Sequence, residues 1–186
     1  AVDLFVLSTS TARMELSIDS VLRERFGLES FRPWQREAIE AVLVEPGRAL
    51  VVAPTGGGKS LTYQLPAAVL AARGEGLTLV VSPLVALMED QVRGLTARGI
   101  KATFLASTLE MSERRAREDA MLRGEYELVY VAPERLAAGA FVERLGRCKI
   151  GLVAIDEAHC IAQWGHDFRP EYLQIGALLE RLRPSR

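Results

Sequence analysis

The chain has 186 residues, of which 49% are hydrophobic and 25% charged, a composition typical of one globular domain and not of a disordered, collagen-like or repetitive chain. Its 23 basic and 24 acidic residues give a net charge of −1, so any contact with nucleic acid has to be a local patch or be shared with another part. No uncharged apolar run approaches the roughly 18 residues of a membrane-spanning helix, and two cysteines are too few for a disulfide scaffold or a four-cysteine zinc site.

Two helices are predicted near the start of the chain. Apolar residues share one face over residues 18–26, where Gly27 provides a natural stop, and a second helix begins near Pro33. Residues 1–17 precede this pattern, and we expect them to be an extension, native or artificial, with little order. Residues 18–186 are expected to form the domain.

Apolar, β-rich runs then alternate with helical patterns. Strands are predicted at residues 49–53, 77–82, 101–105, 127–132 and 150–156. Helices are predicted at 59–72, 84–98, 110–123, 133–145 and 170–182. Pro66 should kink or interrupt the first of these helices. The alternation predicts an α/β fold with a mostly parallel sheet sandwiched by helices, in which ligands bind beyond the carboxyl ends of the strands.

A phosphate-binding loop is predicted at residues 53–60, which read A-P-T-G-G-G-K-S. The run follows a predicted strand and precedes a helix, which is the context that this motif requires. Backbone N–H groups from Thr55 and Gly56, Gly57 and Gly58 can surround phosphates, and the helix N-terminus adds positive potential. Lys59 can reach the β- and γ-phosphates, and the Ser60 hydroxyl can ligate Mg²⁺. Ala53 stands where the standard motif has its first glycine, and a glycine-rich turn with no ligand is the alternative interpretation.

Two adjacent carboxylates, Asp156 and Glu157, close the last predicted strand. At the carboxyl end of a strand, Asp156 can hold Mg²⁺ while Glu157 orients and activates the attacking water. The alternative is a helix N-terminus that is rich in acidic residues. An upstream phosphate loop across the same predicted sheet favours the catalytic interpretation.

Longer segments resemble the RecQ family of superfamily-two DNA helicases, specifically their first RecA-like lobe. The segments are F-G-L-E-S-F-R-P-W-Q at 26–35, P-T-G-G-G-K-S-L-T-Y-Q-L-P-A at 54–67, V-S-P-L-V-A-L-M-E-D-Q-V at 81–92, V-A-P-E-R-L at 131–136 and D-E-A-H-C-I-A-Q-W-G-H-D-F-R-P-E-Y at 156–172. The resemblance runs from about residue 18 to the end of the chain. It implies a RecA-like P-loop NTPase fold that uses ATP and Mg²⁺.

The resemblance assigns nucleotide contacts that lie outside the phosphate loop. Gln35 matches the glutamine that reads the adenine base, and a carboxamide can both donate to and accept from the adenine edge. Leu28 and Arg32 match neighbouring positions that contact the nucleotide. From the residues alone, Gln35 would be interpreted as a surface residue of a helix.

The segment from Trp164 to Pro170 matches the aromatic-rich loop that couples DNA binding to ATP hydrolysis in the family. Trp164 and Phe168 can stack on unpaired bases, and Arg169 can stack or pair with phosphate. The resemblance includes His166 in this loop and makes His159 a link between the acid pair and phosphate sensing. Core packing of the two aromatic residues is the alternative.

Two further segments resemble parts of the family that line the path of single-stranded DNA. Ser82 and Pro83 follow one predicted strand, and Pro133 and Arg135 follow another. Hydroxyls and helix N-termini there can hold DNA phosphates without reading the base sequence. Ordinary capping of the following helices is the alternative, and both interpretations can hold together.

The family resemblance implies a 3′-to-5′ helicase that couples ATP hydrolysis to translocation on single-stranded DNA and to unwinding of forked DNA, in repair and recombination. It also implies a second RecA-like lobe that supplies an arginine finger, and a strand carrying a Ser/Thr-Ala-Thr motif beyond the last helix. Alone, the chain is expected to be a weak or inactive ATPase in the cytoplasm, at the nucleoid in a bacterium. The alternatives are a freestanding nucleotide-dependent DNA-binding module and a non-helicase P-loop enzyme such as a small kinase.

Overall fold

The computed structural model of the protein describes residues 17–44, 47–54, 56–158, 175–182 and 184. The helices in these ranges are α1 (Ile18–Phe26), α2 (Pro33–Leu43), α3 (Leu61–Ala72), α4 (Val85–Ala97), α5 (Met111–Leu122), α6 (Pro133–Leu136), α7 (Gly139–Leu145) and α8 (Ile175–Leu182). The strands are β1 (Leu77–Val81), β2 (Ala102–Leu105), β3 (Leu128–Val131) and β4 (Ile150–Ile155). The expected extension lies almost wholly outside the described residues.

The four strands form one parallel sheet in the order β2-β3-β1-β4. Val80 in β1 pairs with Tyr130 in β3 on one side and with Ala154 in β4 on the other. Parallel neighbours need crossover connections, and the chain provides them as helices between successive strands. The predicted α/β fold with a parallel sheet is therefore confirmed.

Helices cover both faces of the sheet. On one face, α1, α2 and α3 pack with Val80 and Tyr130, and residues 61–70 of α3 are buried throughout. On the other face, Leu79 and Val131 pack against α7 and α8. Because successive strand side chains point to opposite faces, the apolar runs that identified the strands are those expected of a sheet buried on both faces.

The structure differs from the sequence prediction at residues 49–53, which do not form a strand. Leu50 and Val52 are 87% and 90% exposed. A strand needs a neighbouring ladder for its backbone hydrogen bonds, and no described strand lies beside this segment. The predicted strand is therefore wrong for the chain as described, although the residues have the composition of one.

Two helix predictions also need correction. The pattern over 133–145 forms two helices, α6 and α7, because Ala138 adopts an extended backbone between them. Pro66 does not interrupt α3, which runs from Leu61 to Ala72. Proline at this position cannot donate a backbone hydrogen bond and crowds the carbonyl four residues earlier, yet the helix continues to Ala72.

Candidate functional site

The phosphate loop leads directly into α3. Gly56 and Gly58 have φ values of 73° and 83°, in the left-handed region that favours glycine. A Cβ atom at Gly57 would lie 2.7 Å from the Pro54 carbonyl oxygen, which accepts a hydrogen bond from the Gly57 N–H at 2.9 Å. Three consecutive glycines are thus required by the conformation of the loop. Thr55, which we predicted to bind phosphate, lies outside the described residues.

The Lys59 ammonium group contacts carbonyls of its own loop. Its Nζ atom donates to the Ala53 oxygen at 2.7 Å and to the Pro54 oxygen at 3.3 Å. Ser60 immediately precedes α3, and its carbonyl accepts the Gln64 N–H at 3.0 Å. A phosphate that enters the loop would meet an ammonium group that can exchange neutral carbonyl partners for a charged one.

Arg32 and Gln35 at the start of α2 bind the phosphate loop. Arg32 Nη1 donates to the Gly57 oxygen at 2.7 Å, and Gln35 Nε2 donates to the Gly58 oxygen at 2.9 Å. Gln35 Oε1 also accepts the Arg32 N–H at 2.9 Å. Gln35 is only 5% exposed, so its interpretation as a surface helix residue is wrong. Leu28, after α1, is 44% exposed.

The two predicted catalytic carboxylates follow β4. The Asp156 N–H donates to the Val81 oxygen at 2.8 Å, which extends the ladder with β1 by one residue. Glu157 has a φ of 51°, unusual for a residue other than glycine and a type of strain that clusters at functional sites. Its N–H donates to Asp156 Oδ1 at 3.0 Å.

The electrostatics of Asp156 connect it to the phosphate loop. Burial raises the pKa of the Asp156 carboxyl, and the charge of Glu157 raises it further. The Lys59 charge and the Ser82 hydroxyl act in the opposite direction on this pKa. Lys59 therefore lies within electrostatic range of Asp156, and their joint role in one site remains a prediction.

Ser60 and Asp156 provide oxygen atoms of the kind that Mg²⁺ prefers. Mg²⁺ is commonly held by one or two protein groups together with water and substrate phosphates. In the ranges that the structure describes, no group of three or more His, Cys, Asp or Glu side chains could hold a metal ion alone. The donor set therefore fits a cation shared with nucleotide phosphates.

The four residues predicted to line a DNA path have different surroundings. Ser82 is 1% exposed and lies next to Asp156, and Pro133 is buried. Pro83 is partly exposed between β1 and α4. Arg135 is bound to Glu118 at 2.9 Å, with its guanidinium 5.2 Å from the ring centre of Phe141. The predicted coupling residues His159, Trp164, His166, Phe168 and Arg169 lie outside the described residues.

A buried polar cluster close to the phosphate loop was missed from the sequence. Tyr63 and Gln64 lie in the first turn of α3, and Gln64 Nε2 donates to the Tyr130 hydroxyl at 2.9 Å. The signal in the sequence is the polar run Thr62, Tyr63 and Gln64 close after the Lys-Ser pair, in a helix that is otherwise apolar. Their partners come from other elements, which a helical pattern does not reveal.

A cavity of about 530 Å³ lies at the opposite, amino end of the sheet and is lined in part by Arg25, Lys101 and Lys149. Arg25 pairs with Glu127 at 3.1 Å, and Lys149 donates to the Gly74 oxygen at 2.9 Å. Cations near carbonyls at the ends of helices are stabilising. Two of these three cations are therefore bound by groups of the fold itself, and the phosphate loop is the better candidate site. No helix within the described ranges is long and apolar enough to cross a membrane.

A parallel α/β sheet with a phosphate loop and an acid pair at its carboxyl edge defines a P-loop nucleotide-binding domain. Residues 32–186 match the family described as "DEAD/DEAH box helicase". The chain therefore belongs to the DEAD/DEAH box helicase family.

Two relatives are named as RecQ helicases. The chain is 49% identical over 158 residues to "ATP-dependent DNA helicase RecQ" of Pasteurella multocida (strain Pm70), covering 85% of this chain and 24% of that protein. It is 46% identical over 163 residues to the protein of the same name from Bacillus subtilis (strain 168), covering 88% of this chain and 27% of that protein. The resemblance drawn from the motifs is confirmed, and the chain spans about a quarter of the length of these relatives.

Solved helicase structures share the fold. The Mycobacterium smegmatis helicase Lhr bound to ssDNA and AMP-PNP has a TM-score of 0.65 and 27% identity, covering 88% of this chain and 22% of Lhr. A hypothetical ATP-dependent RNA helicase from Sulfolobus tokodaii has a TM-score of 0.62 and 23% identity, covering 90% of this chain and 47% of that one.

Proposed function

We propose that this chain is the ATP-binding RecA-like lobe of a RecQ-like DNA helicase, which couples Mg-ATP hydrolysis to 3′-to-5′ translocation on single-stranded DNA and to duplex unwinding. The observation that carries the proposal is that Lys59, at the end of the phosphate loop, is close enough to Asp156 for its charge to lower the pKa of that carboxyl. The 46–49% identity to proteins named as ATP-dependent DNA helicases supports this reaction and the use of ATP and DNA.

Each residue of the site has a role that follows from its chemistry. Lys59 binds the β- and γ-phosphates, while Thr55 and the three glycines offer backbone N–H groups to them. Ser60 and Asp156 hold Mg²⁺, which neutralises charge on the phosphates when it is bound. Glu157 orients and activates the attacking water.

Leu28, Arg32 and Gln35 are proposed to contact the nucleotide base. Leu28 offers exposed apolar surface, and Gln35 offers a carboxamide. The Gln35 carboxamide uses one N–H on the Gly58 oxygen and one lone pair on the Arg32 N–H, so a second N–H and a second lone pair remain for the adenine edge while the loop stays bonded. Base recognition and loop conformation are therefore linked in this proposal.

DNA is proposed to pass along Ser82, Pro83, Pro133 and Arg135, with single-stranded and forked DNA as substrates. Residues His159, Trp164, His166, Phe168 and Arg169 are proposed to signal DNA binding to the acid pair. A second RecA-like lobe is proposed to complete the motor. In support, Lhr, which has a similar fold, was solved with ssDNA and AMP-PNP. Such a protein would act where chromosomal DNA lies, which in a bacterium is the nucleoid.

The test is Mg-ATP binding and turnover by the 186-residue chain, with and without single-stranded DNA. We expect binding with slow turnover, because the arginine finger comes from the second lobe. Lys59→Ala should weaken Mg-ATP binding about 10- to 100-fold, since it removes a charged partner of the phosphates. Lys101→Ala, at the opposite end of the sheet, is the matched control. Equal binding by both variants would contradict the proposal, and fast DNA-stimulated turnover would contradict the need for a second lobe.

A further inference from the structure

The buried side chains of Tyr63, Gln64 and Tyr130 and the half-buried Gln91 form a contact cluster, called the lock below, beneath the first turn of α3. Gln64 Nε2 donates to Gln91 Oε1 at 2.6 Å and to the Tyr130 hydroxyl at 2.9 Å. The ring of Tyr63 meets the ring of Tyr130 edge to face, with centroids 6.3 Å apart. Tyr63 and Gln64 are each 8% exposed and Tyr130 is 1% exposed. The hydrogen bonds hold the Tyr130 ring, which in turn limits the orientation of the Tyr63 ring.

The strand register places this lock on the same face of the sheet as Asp156. Tyr130, Val80 and Ala154 form one row across β3, β1 and β4. Asp156 lies two residues after Ala154, and its N–H continues the ladder to the Val81 oxygen at 2.8 Å. Because side chains alternate along a strand, Asp156 is directed to the face on which α3 packs.

The hydroxyl of Tyr63 is buried and makes no hydrogen bond of good geometry to the described residues, although the hydroxyls of Ser60 and Tyr130 lie near it. A buried hydroxyl without a partner is costly, and in a folded protein it calls for an explanation. Burial raises the pKa of Tyr63 far above its usual value, and the Asp156 carboxylate acts in the same direction, whereas the Ser60 hydroxyl acts against it. The Tyr63 hydroxyl is thus a hydrogen-bond donor that lies near both Ser60 and Asp156.

We propose that Tyr63 is a positioning residue whose hydroxyl donates a hydrogen bond to the Asp156 carboxylate, directly or through one water, once nucleotide and Mg²⁺ are bound. This inference rests on the proposed function. The bond orients one carboxylate oxygen and leaves the other for the cation. Gln64, Tyr130 and Gln91 keep the Tyr63 ring in place.

The test uses Tyr63→Phe, which removes a single oxygen atom. ATP affinity is measured by titration calorimetry, once with Mg²⁺ and once with EDTA. We expect about a tenfold loss with Mg²⁺, at the lower end of the losses seen when a group that orients a metal ligand is removed. With EDTA the change should be less than about twofold. Thermal unfolding should show no loss of stability, because an unpaired buried hydroxyl is removed.

Tyr126→Phe is the matched control, since Tyr126 lines the cavity at the opposite end of the sheet. Tyr126→Phe should change the ATP affinity neither with Mg²⁺ nor with EDTA. Gln64→Met, which breaks the lock but keeps the Tyr63 hydroxyl, should lower the Mg²⁺-dependent affinity by a smaller factor than Tyr63→Phe does. Equal losses with Mg²⁺ and EDTA in Tyr63→Phe, or no loss in either, would overturn the inference while leaving the proposed function intact. Failure of the unaltered chain to bind ATP in both conditions would instead overturn the proposed function, and this inference with it.

Discussion

Gln35 joins the start of α2 to the phosphate loop through both ends of its carboxamide. Its Nε2 atom donates to the Gly58 oxygen and its Oε1 atom accepts the Arg32 N–H, each at 2.9 Å. Gln35→Ala removes both bonds and leaves the two backbone groups without these partners. Because Gln35 is 5% exposed, water cannot readily take its place at either group.

The expected loss of stability follows from these contacts. Two hydrogen bonds contribute about 1 kcal/mol each, and lost burial of the side-chain methylene adds somewhat less than 1 kcal/mol, so the unfolding free energy should fall by about 2–3 kcal/mol. In a domain of this size, such a loss lowers the Tm by about 5–10 °C. Glu37→Ala is the control on the same helix, because Glu37 is exposed. It should change stability by less than about 0.5 kcal/mol.

The assay is urea denaturation of the nucleotide-free chain, followed by titration with Mg-ATP and Mg-GTP. If Gln35 also reads adenine, Gln35→Ala should weaken ATP binding more than GTP binding. An equal loss of affinity for ATP and GTP would mean that Gln35 tethers the loop but does not read the base. An unfolding free energy within about 0.5 kcal/mol of that of Glu37→Ala would refute the tether itself.

Two further predictions use the same urea denaturation. Glu118→Ala should lower the unfolding free energy by about 3 kcal/mol, because the partly buried guanidinium groups of Arg135 and Arg144, 2.9 and 3.3 Å from Glu118, lose this carboxylate. The control is Glu113→Ala, which removes an exposed ion pair on the same helix. A loss below about 1 kcal/mol for Glu118→Ala would contradict the prediction. Asp156→Asn should raise stability at pH 7 by about 0.5–1 kcal/mol and abolish the Mg²⁺-dependent part of ATP binding. Since the folded-state pKa of Asp156 is raised, its charged form destabilises the fold at pH values above that pKa. The difference in unfolding free energy between Asp156→Asn and the unaltered chain should therefore vanish as the pH falls below about 4, where Asp156 is protonated in both the folded and the unfolded state. An unchanged difference below pH 4 would contradict the raised pKa of Asp156.

The periodicity of the sequence predicted most of the fold. The α1 pattern over 18–26 matches the observed Ile18–Phe26, and four of the five predicted strands form the sheet. Continuous apolar runs identify these strands because each strand is covered on both faces, so burial and sequence pattern agree. The segment at 49–53 shows the limit of the method. Its residues favour a strand, but a strand forms only beside a neighbouring strand, and the composition of a segment does not show whether one lies next to it.

The candidate site was predicted where a motif is continuous in sequence and missed where it is built by packing. Lys59, Ser60 and the acid pair were identified because their spacing is local. Tyr63 was not singled out, since its partner Tyr130 lies 67 residues away and on another element, β3. Arg135 was assigned to a DNA path from the resemblance, whereas its ion pair with Glu118 depends on the position of α5, which a motif does not contain.

The two ends of the sheet show why only one of them is suited to a ligand. At the amino end, Lys149 and Arg25 are bound to groups that the fold itself supplies, a helix-end carbonyl and the carboxylate of Glu127. At the carboxyl end, the hydrogen bonds of Lys59 within the described residues go to neutral carbonyls of its own phosphate loop, and a phosphate would bind it more strongly. The buried hydroxyls of Tyr63 and Ser82 have no hydrogen bond of good geometry to the described residues, and both lie near Asp156. The carboxyl end therefore holds several polar groups that, in the proposed function, bind a nucleotide and its cation.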